Sequence, residues 1–361
     1  QRRASEAISR LTGAEAGCVV GCTAAGIAIS AAATITGDDI AKIKELPTIK
    51  GPKNKIVVQK GHVIGIGDSP LDQVLRLTGA EVVEVGEALD CAKFHLESNL
   101  TPDVAAAVYV LGDVFPPNLL SLETFIKICK SKNVPVIVDA AYETNFTHLI
   151  EKGADLVVHS GQKWLGGATA ALIAGRKDLV HACYLQEMGI GRLMKAGKEG
   201  ILGIISAIEN WMQRDHEGIL QKQMEMAERF KSKINDVDGL SATIKRSDYS
   251  PSIRVEMTVD HQKTGVEAWE INYLLGIGDP VIKMDDYAVH HGKMTFDLTF
   301  LDEGDELTII ERIKKIIEDK KQQDVDQPET QVEPLTRMDL LYETAKRWLD
   351  EDPRGEKRGL K

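Results

Sequence analysis

Short runs of almost entirely apolar residues, separated by segments with helical periodicity, constrain the fold of this chain more than any other feature. Val104–Val110 and Val134–Val138 are two such runs, and Ser121–Lys130 between them has the period of a helix. A strand that is apolar on both faces must be buried on both, as in a parallel sheet covered by helices. The pattern therefore predicts an α/β domain with a mostly parallel sheet, in which ligands bind at the carboxyl ends of the strands.

The chain has 361 residues, which is enough for two domains because single cores seldom grow beyond roughly 250–300 residues. We expect a large domain over residues 1–212 and a connecting helix over 213–236, as part of one long helix that begins at Glu199. The sequence then changes to shorter alternating strands, which predict a small α+β domain over residues 237–320. The polar residues 321–361 are expected to form a linker followed by a helix and tail.

Composition and charge disfavour some classes of partner. The formal net charge of −11 disfavours a protein whose main activity is binding nucleic-acid phosphates. No apolar run reaches the roughly 18–20 residues of a membrane span.

The five cysteines are odd in number and form no C-x-x-C pair, which favours reduced thiols and a cytoplasmic location. Because a helical pattern starts directly after Gln1, we expect the natural protein to have further N-terminal residues.

A lysine and an aspartate follow two of the predicted strands. The run Asp155–Val158 leads into His159-Ser160-Gly161-Gln162-Lys163 and then a glycine pair, and the run Val134–Val138 ends at Asp139. Because parallel strands have their carboxyl ends at one edge of the sheet, we expect Asp139 and Lys163 to face a shared pocket.

The turn Gly21-Cys22-Thr23-Ala24-Ala25-Gly26 connects a short strand to a helix rich in alanine. Free N–H groups and the positive end of the helix dipole make such a turn suitable for a phosphate. Close packing of small residues against a sheet explains the same pattern without a ligand. The turn therefore indicates an anion site only in combination with other residues.

Together these residues match what a protein supplies to pyridoxal 5'-phosphate, namely an amine, a carboxylate, an anion site and a flat group against the ring. Lys163 offers the amine for a Schiff base, and Asp139 offers a carboxylate for the pyridinium nitrogen. Ala141 would leave room for the ring, and His62 would stack on it unless it is only a hydrogen-bonded loop residue. The residues expected around the phosphate are Ser160, Cys22, Thr23 and Ala24.

The order Gly-x-Thr-Ala-Ala, Val-Asp-Ala-Ala and Ser-Gly-x-Lys with Gly-Gly resembles the fold-type I pyridoxal-phosphate enzymes. The chain is most similar to their selenocysteine synthase-like group, which includes D-glucosaminate-6-phosphate ammonia-lyase. The resemblance covers residues 1–320 and includes the segments 59–86 and 195–201. It implies a Schiff base on Lys163, a large domain with a smaller α+β C-terminal domain, and a homodimer or larger homo-oligomer. The polar C-terminal extension is not part of the group's pattern.

Four basic residues are candidates for binding the substrate. In fold-type I enzymes an arginine of the small domain often binds the substrate carboxylate, and Arg254 has a suitable position, although a surface or interdomain salt bridge is the alternative. Arg192, Lys195 and Lys198 form a cluster for a phosphate or carboxylate, or a solvated run of charge. His290-His291 is rejected as a metal site, because neighbouring residues on a strand point to opposite faces.

The leading hypothesis is a pyridoxal-phosphate lyase acting on an anionic amino substrate, either an amino sugar acid or a hydroxy amino acid. Lys163 would remove the Cα proton, and loss of a β-hydroxyl followed by hydrolysis would release ammonia and a 2-oxo acid. The alternatives are selenium transfer onto seryl-tRNA, a racemase or aldolase reaction, and a catalytically silent oligomeric scaffold.

Overall fold

The computed structural model describes residues 1–48, 51, 53–63, 70–112, 115–246 and 252–326, with residues 339, 342 and 346. The chain divides into two compact units, Gln1–Arg214 and Asp215–Lys361. Among the described residues, no helix is both long and apolar enough to cross a membrane. The predicted C-terminal helix lies almost entirely outside the described residues.

The first unit contains one seven-stranded sheet. Its strands are β1 (Ala16–Val20), β2 (Lys55–Gln59), β3 (Glu81–Val85), β4 (Val104–Val110), β5 (Val136–Asp139), β6 (Leu156–Ser160) and β7 (Ala171–Gly175). Their order is β1-β7-β6-β5-β4-β2-β3. Strand β7 is antiparallel to β1 and β6, whereas the pairs among β2 to β6 are parallel. The predicted mostly parallel sheet is confirmed.

Helices cover both faces of this sheet. They are α1 (Arg2–Thr12), α2 (Thr23–Thr36), α3 (Ile40–Glu45), α4 (Leu71–Arg76), α5 (Lys93–Asn99), α6 (Leu122–Ser131), α7 (His148–Glu151), α8 (Lys177–Leu185) and α9 (Lys198–Gln213). Side chains of β7 alternate between two cores. Ile173 packs in the core that includes α2, and Leu172 packs in the core formed with α1 and α9. Burial on both faces explains why β4 and β7 lack charged residues, whereas the edge strand β3 has exposed glutamates at positions 81 and 84.

Helix α2 approaches the sheet closely at Gly26. A Cβ atom at this position would lie 2.5 Å from Cγ1 of Val158 on β6. Close packing therefore accounts for this glycine, independently of any ligand at the start of the helix.

The second unit has an α+β architecture. Its elements are α10 (His216–Asn235), β8 (Leu240–Arg246), β9 (Ile253–Val259), α11 (His261–Thr264), α12 (Ala268–Gly276), β10 (Lys293–Asp297) and α13 (Asp305–Asp326). The three strands form an antiparallel sheet in the order β10-β9-β8. Residues on β9 alternate between buried and half-buried, so one face of the sheet packs on the core of this unit.

The expectation of one long helix from Glu199 to Asn235 is wrong, because α9 and α10 are separate helices. At the break, Arg214 has an extended backbone with ψ of 139°, and its guanidinium donates a hydrogen bond to the carbonyl oxygen of Trp164 at 3.1 Å. The side chain of Asp215 then caps α10. A tertiary hydrogen bond and a capping residue together interrupt a continuous helical period.

Two local expectations about the second unit also differ from the structure. Residues 321–326 belong to α13, so the polar segment predicted as a linker begins as a helix. His290 and His291 lie in a 3-10 turn, Val289–His291, and not on a strand. The described residues contain no group of three or more His, Cys, Asp or Glu side chains placed to hold a metal ion.

Candidate active site

The parallel register of three strands brings the candidate residues to one edge of the first unit. Val110 at the end of β4 is paired with Asp139 at the end of β5, and Asp139 is paired with Val158 on β6. A cavity of about 120 Å³ lies at this edge. Six of the predicted residues line it: Thr23, Ala24, His62, Asp139, Ala141 and Lys163.

Lys163 stands on a loop held by main-chain hydrogen bonds. The Gly161 N–H donates to the Ala170 oxygen at 2.8 Å, and the Gly167 N–H donates to the Gly161 oxygen at 2.8 Å. Gly161 leaves no room for a side chain, since a Cβ atom there would lie 2.9 Å from the Ala170 oxygen. Two glycines therefore allow the chain to turn sharply after β6 and place the lysine in the cavity.

Burial shifts the titration of the lysine. It lowers the pKa of Lys163 to about 8, against the opposing attraction of the Asp139 carboxylate. Nζ of Lys163 lies 3.4 Å from the centroid of the Tyr142 ring. A substantial fraction of this amine is therefore neutral, and able to act as a nucleophile or base, at moderately alkaline pH.

Asp139 is half-buried and lines the same cavity. Its Oδ1 accepts a hydrogen bond from the Ala141 N–H at 3.1 Å. Burial raises the pKa of this carboxyl, and the Ala141 N–H and the charge of Lys163 act in the opposite direction. A cationic group placed beside Asp139 would stabilise its ionised form.

His62 follows β2 in a short 3-10 turn and is held as a neutral ring. Its Nδ1 accepts a hydrogen bond from the Val110 N–H at 3.3 Å, so the proton of the neutral imidazole is on Nε2. The rings of Tyr109 and Phe115 each lie with centroids 4.6 Å from it. Burial lowers the pKa of His62 to about 3. The side chain contributes a flat ring and a neutral N–H donor, and its stacking role stays a prediction.

The first turn of α2 reaches the cavity through Thr23 and Ala24. Cys22 is the N-cap, and its Sγ accepts a hydrogen bond from the Ala25 N–H at 3.4 Å. Helix α2 has 14 residues, so its N-terminus presents free N–H groups and a positive dipole end. Cys22 itself and Ser160, the buried last residue of β6, are not among the residues that line the cavity.

The predicted substrate-binding cations lie outside the described lining of the cavity. Arg192, Lys195 and Lys198 are exposed. Of these, Lys195 forms an isolated β-bridge with Val20 at the end of β1, directly before the turn into α2. Arg254 lies on β9 of the second unit, where its Nε is 3.5 Å from Oδ2 of Asp297. This salt bridge lies within the second unit, and a substrate role for the four cations stays a prediction.

Sequence reasoning did not identify half of the lining. The missed residues are Ile27, Leu71, Val74, Val110, Leu111 and Tyr142. Five of them are aliphatic and have no chemical signature in the sequence. The sequence position of Tyr142 could have indicated its place in the cavity, because it directly follows the candidate segment Asp139-Ala140-Ala141.

Comparison with known proteins supports the architecture and the resemblance. A family model described as L-seryl-tRNA selenium transferase (SelA) matches residues 1–269. The solved structure of D-glucosaminate-6-phosphate ammonia-lyase superposes with a TM-score of 0.76 and 32% identity, covering 88% of this chain and 86% of that one. The predicted fold-type I architecture is therefore confirmed.

Two relatives match most of the chain and are enzymes by name. The 5'-C-glycyluridine monooxygenase-decarboxylase of Streptomyces sp is 35% identical over 315 residues, which is 86% of this chain and 79% of that protein. The D-glucosaminate-6-phosphate ammonia lyase of Salmonella typhimurium (strain 14028s / SGSC 2262) is 32% identical over 318 residues, 88% of this chain and 85% of that protein. With the family model matching three quarters of its length, the chain belongs to the SelA family, L-seryl-tRNA selenium transferase.

Proposed function

We propose that this chain is a pyridoxal-phosphate-dependent lyase that releases ammonia from an anionic amino substrate, an amino sugar acid or a hydroxy amino acid. The observation that carries the proposal is one cavity lined by both an amine, Lys163, and a carboxylate, Asp139, which are half-buried and whose pKa values desolvation shifts toward the neutral forms. The ammonia-lyase relative, which matches most of the chain, supports the same type of reaction.

The residues of the cavity fit this cofactor. Lys163 would hold the aldehyde carbon, because its amine is depleted of charge by burial. Asp139 would hold the ring nitrogen, and a positive charge there would offset the desolvation of this carboxylate. The first turn of α2, through Thr23 and Ala24, would hold the phosphate. Ala141 and His62 would border the ring.

When bound, pyridoxal phosphate supplies an electron sink for the electron pair left at Cα after a proton is removed. The protein must then supply a base and exclude water. A neutral Lys163 amine can accept this proton and later return it, since its pKa of about 8 is near the working range of a general base. His62 is a neutral Nε2–H donor at the same cavity.

The cofactor is tested by its visible absorbance. Full-length protein incubated with pyridoxal phosphate and desalted should retain a yellow absorbance band, and Lys163→Ala should lose it. Lys177→Ala, at an exposed position on α8, is the matched control and should keep the band. A colourless protein after saturation with the cofactor would show that the proposal is wrong.

The reaction is tested by products. Protein loaded with cofactor should release ammonia and a 2-oxo acid in equal amounts from D-glucosaminate-6-phosphate or from a member of a panel of hydroxy amino acids. Selenium incorporation into seryl-tRNA, racemisation, or aldehyde release without ammonia would each replace the lyase proposal by one of its alternatives. Oxygen consumption with carbon dioxide release would instead assign the type of reaction named for the Streptomyces relative.

A homo-oligomeric state and a cytoplasmic location belong to the same proposal. Several large apolar side chains of the first unit are exposed, including Leu193 at 91% and Leu202 at 65% of their surface. Burial of such residues between copies is a common reason for their presence. Light scattering of the purified chain should give a mass of at least twice 39.6 kDa, and a monomer at micromolar concentration would contradict this.

A further inference from the structure

Tyr142 lines the cavity, and the proposed chemistry gives it no role. It follows the β5 segment that carries Asp139, and its half-buried side chain lines the same cavity. The Nζ atom of Lys163 is 3.4 Å from the centroid of the Tyr142 ring, which is contact distance over an aromatic face. The π face of an aromatic ring attracts a cation more strongly than it attracts a neutral amine.

Few groups in the described lining of the cavity can stabilise a positive charge on Lys163. Besides Tyr142, the titratable side chains in the described lining of the cavity are Asp139 and His62. His62 is neutral because burial lowers its pKa to about 3. The charge of the Asp139 carboxylate favours the ammonium form of Lys163. Desolvation raises the pKa of Asp139 and so disfavours the charged carboxylate. The aromatic face is therefore a second group in the cavity that stabilises the lysine cation.

We infer that Tyr142 is a positioning residue for Lys163, and that its aromatic face holds the free ammonium group in the cavity whenever the lysine is not covalently engaged. The inference rests on the proposed function, in which Lys163 accepts a proton at Nζ and returns it. An ammonium group on a flexible four-carbon chain would otherwise turn toward water. The ring keeps the protonated amine at the place where the proton is needed.

The direction of one measurable change separates this role from simple exclusion of water. If the ring only keeps water out, Tyr142→Leu hydrates the amine and raises the pKa of Lys163. If the face stabilises the cation, the same substitution lowers the pKa by about 1 unit. Tyr142→Phe retains the face and should leave the pKa unchanged.

The experiment uses full-length protein without cofactor, so it does not depend on lyase activity. Lys163 is acylated with a limiting amount of acetic anhydride across pH 6 to 11, and its peptide is quantified by mass spectrometry relative to that of Lys177, an exposed lysine on α8. The reaction reports the neutral fraction of each amine. Substituting phenylalanines with one, two and three ring fluorines at position 142 weakens the face with little change of volume. Each added fluorine should lower the pKa of Lys163 further.

The outcomes are decisive in both directions. A pKa that falls in Tyr142→Leu and falls stepwise with fluorination supports the positioning role. A pKa that rises in Tyr142→Leu, or that is the same across the fluorinated series, overturns it. If the wild-type protein does not bind the cofactor, the proposed function is wrong, but the pKa of Lys163 can still be measured. Failure of the proposed function and failure of this inference are therefore distinguishable.

Discussion

His159 provides a quantitative test of the packing behind the active-site strand. It lies on β6 one residue before Ser160, is 1% exposed, and its ring centroid is 4.8 Å from that of Phe146. Burial lowers its pKa from 6.5 to about 3. Between these values the unfolded chain binds a proton at this position and the folded protein does not. The free energy of unfolding must therefore decrease as the pH falls from 6.5 to 3. Above pH 6.5 His159 is neutral in both states, and the folded protein loses no stability through this residue.

The size of the effect follows from the shift. When the unfolded state binds one proton more than the folded state, the free energy of unfolding changes by about 1.4 kcal/mol per pH unit. Titration of His159 should therefore lower the free energy of unfolding by about 2 kcal/mol between pH 7.5 and 5.0. His159→Leu cannot titrate. From pH 7.5 to 5.0, the loss in free energy of unfolding should be about 2 kcal/mol smaller for the variant than for the wild type. This difference does not depend on how the substitution changes stability at pH 7.5. The other histidines are common to both proteins and cancel in the comparison.

Urea unfolding of the full-length protein at the two pH values, followed by circular dichroism, measures this difference. His181→Leu is the matched control, because His181 is exposed on α8, and its pH dependence should equal that of the wild type. Carbon-13 labelling of the histidines gives a direct check, since the ring signal of His159 should not titrate above pH 4. Equal pH dependence in wild type and His159→Leu would refute the reasoning.

Three further substitutions test single contacts. Asp139→Asn removes the charge that favours the lysine cation, so acylation as a function of pH should report a pKa of Lys163 below about 8. Gly161→Ala places a Cβ atom 2.9 Å from a main-chain oxygen and should reduce the free energy of unfolding in urea by about 1–3 kcal/mol, whereas Gly276→Ala, with open space at its Cβ, should not destabilise. Asp215→Ala removes the N-cap bond of α10 and should cost about 1 kcal/mol in the same assay, with Asp215→Ser retaining most of it.

The sheet of the first unit was predictable because its physical cause is local. Strands buried on both faces must be apolar at every position, and Val104–Val110 is both the apolar run in the sequence and the observed β4. The end of β5 at Asp139 was predictable for the same reason, since polarity returns where the strand leaves the core. These features depend on neighbouring residues in the chain.

The features that were missed depend on contacts distant in sequence. The helical period continues through Arg214, and the break between α9 and α10 involves a hydrogen bond to Trp164, 50 residues earlier. The contact between Tyr142 and Lys163 likewise depends on the paths of two separate loops. The aliphatic lining from α2 and α4 could not be distinguished from core residues, because both use the same side chains.

The arrangement of charge around the cavity limits how an anionic substrate can bind. Its described lining contains one cation, Lys163, and the wall formed by Leu71 and Val74 of α4 offers no partner for an anion. If the first turn of α2 holds the cofactor phosphate, the substrate anion needs a further cation near this edge. Among the predicted cations of the first unit, Lys195 has a fixed main-chain position beside that turn, through its bridge to Val20. An amine and a carboxylate alone serve elimination, racemisation and transfer equally, so under the proposed function we expect cations placed in this way to select the substrate.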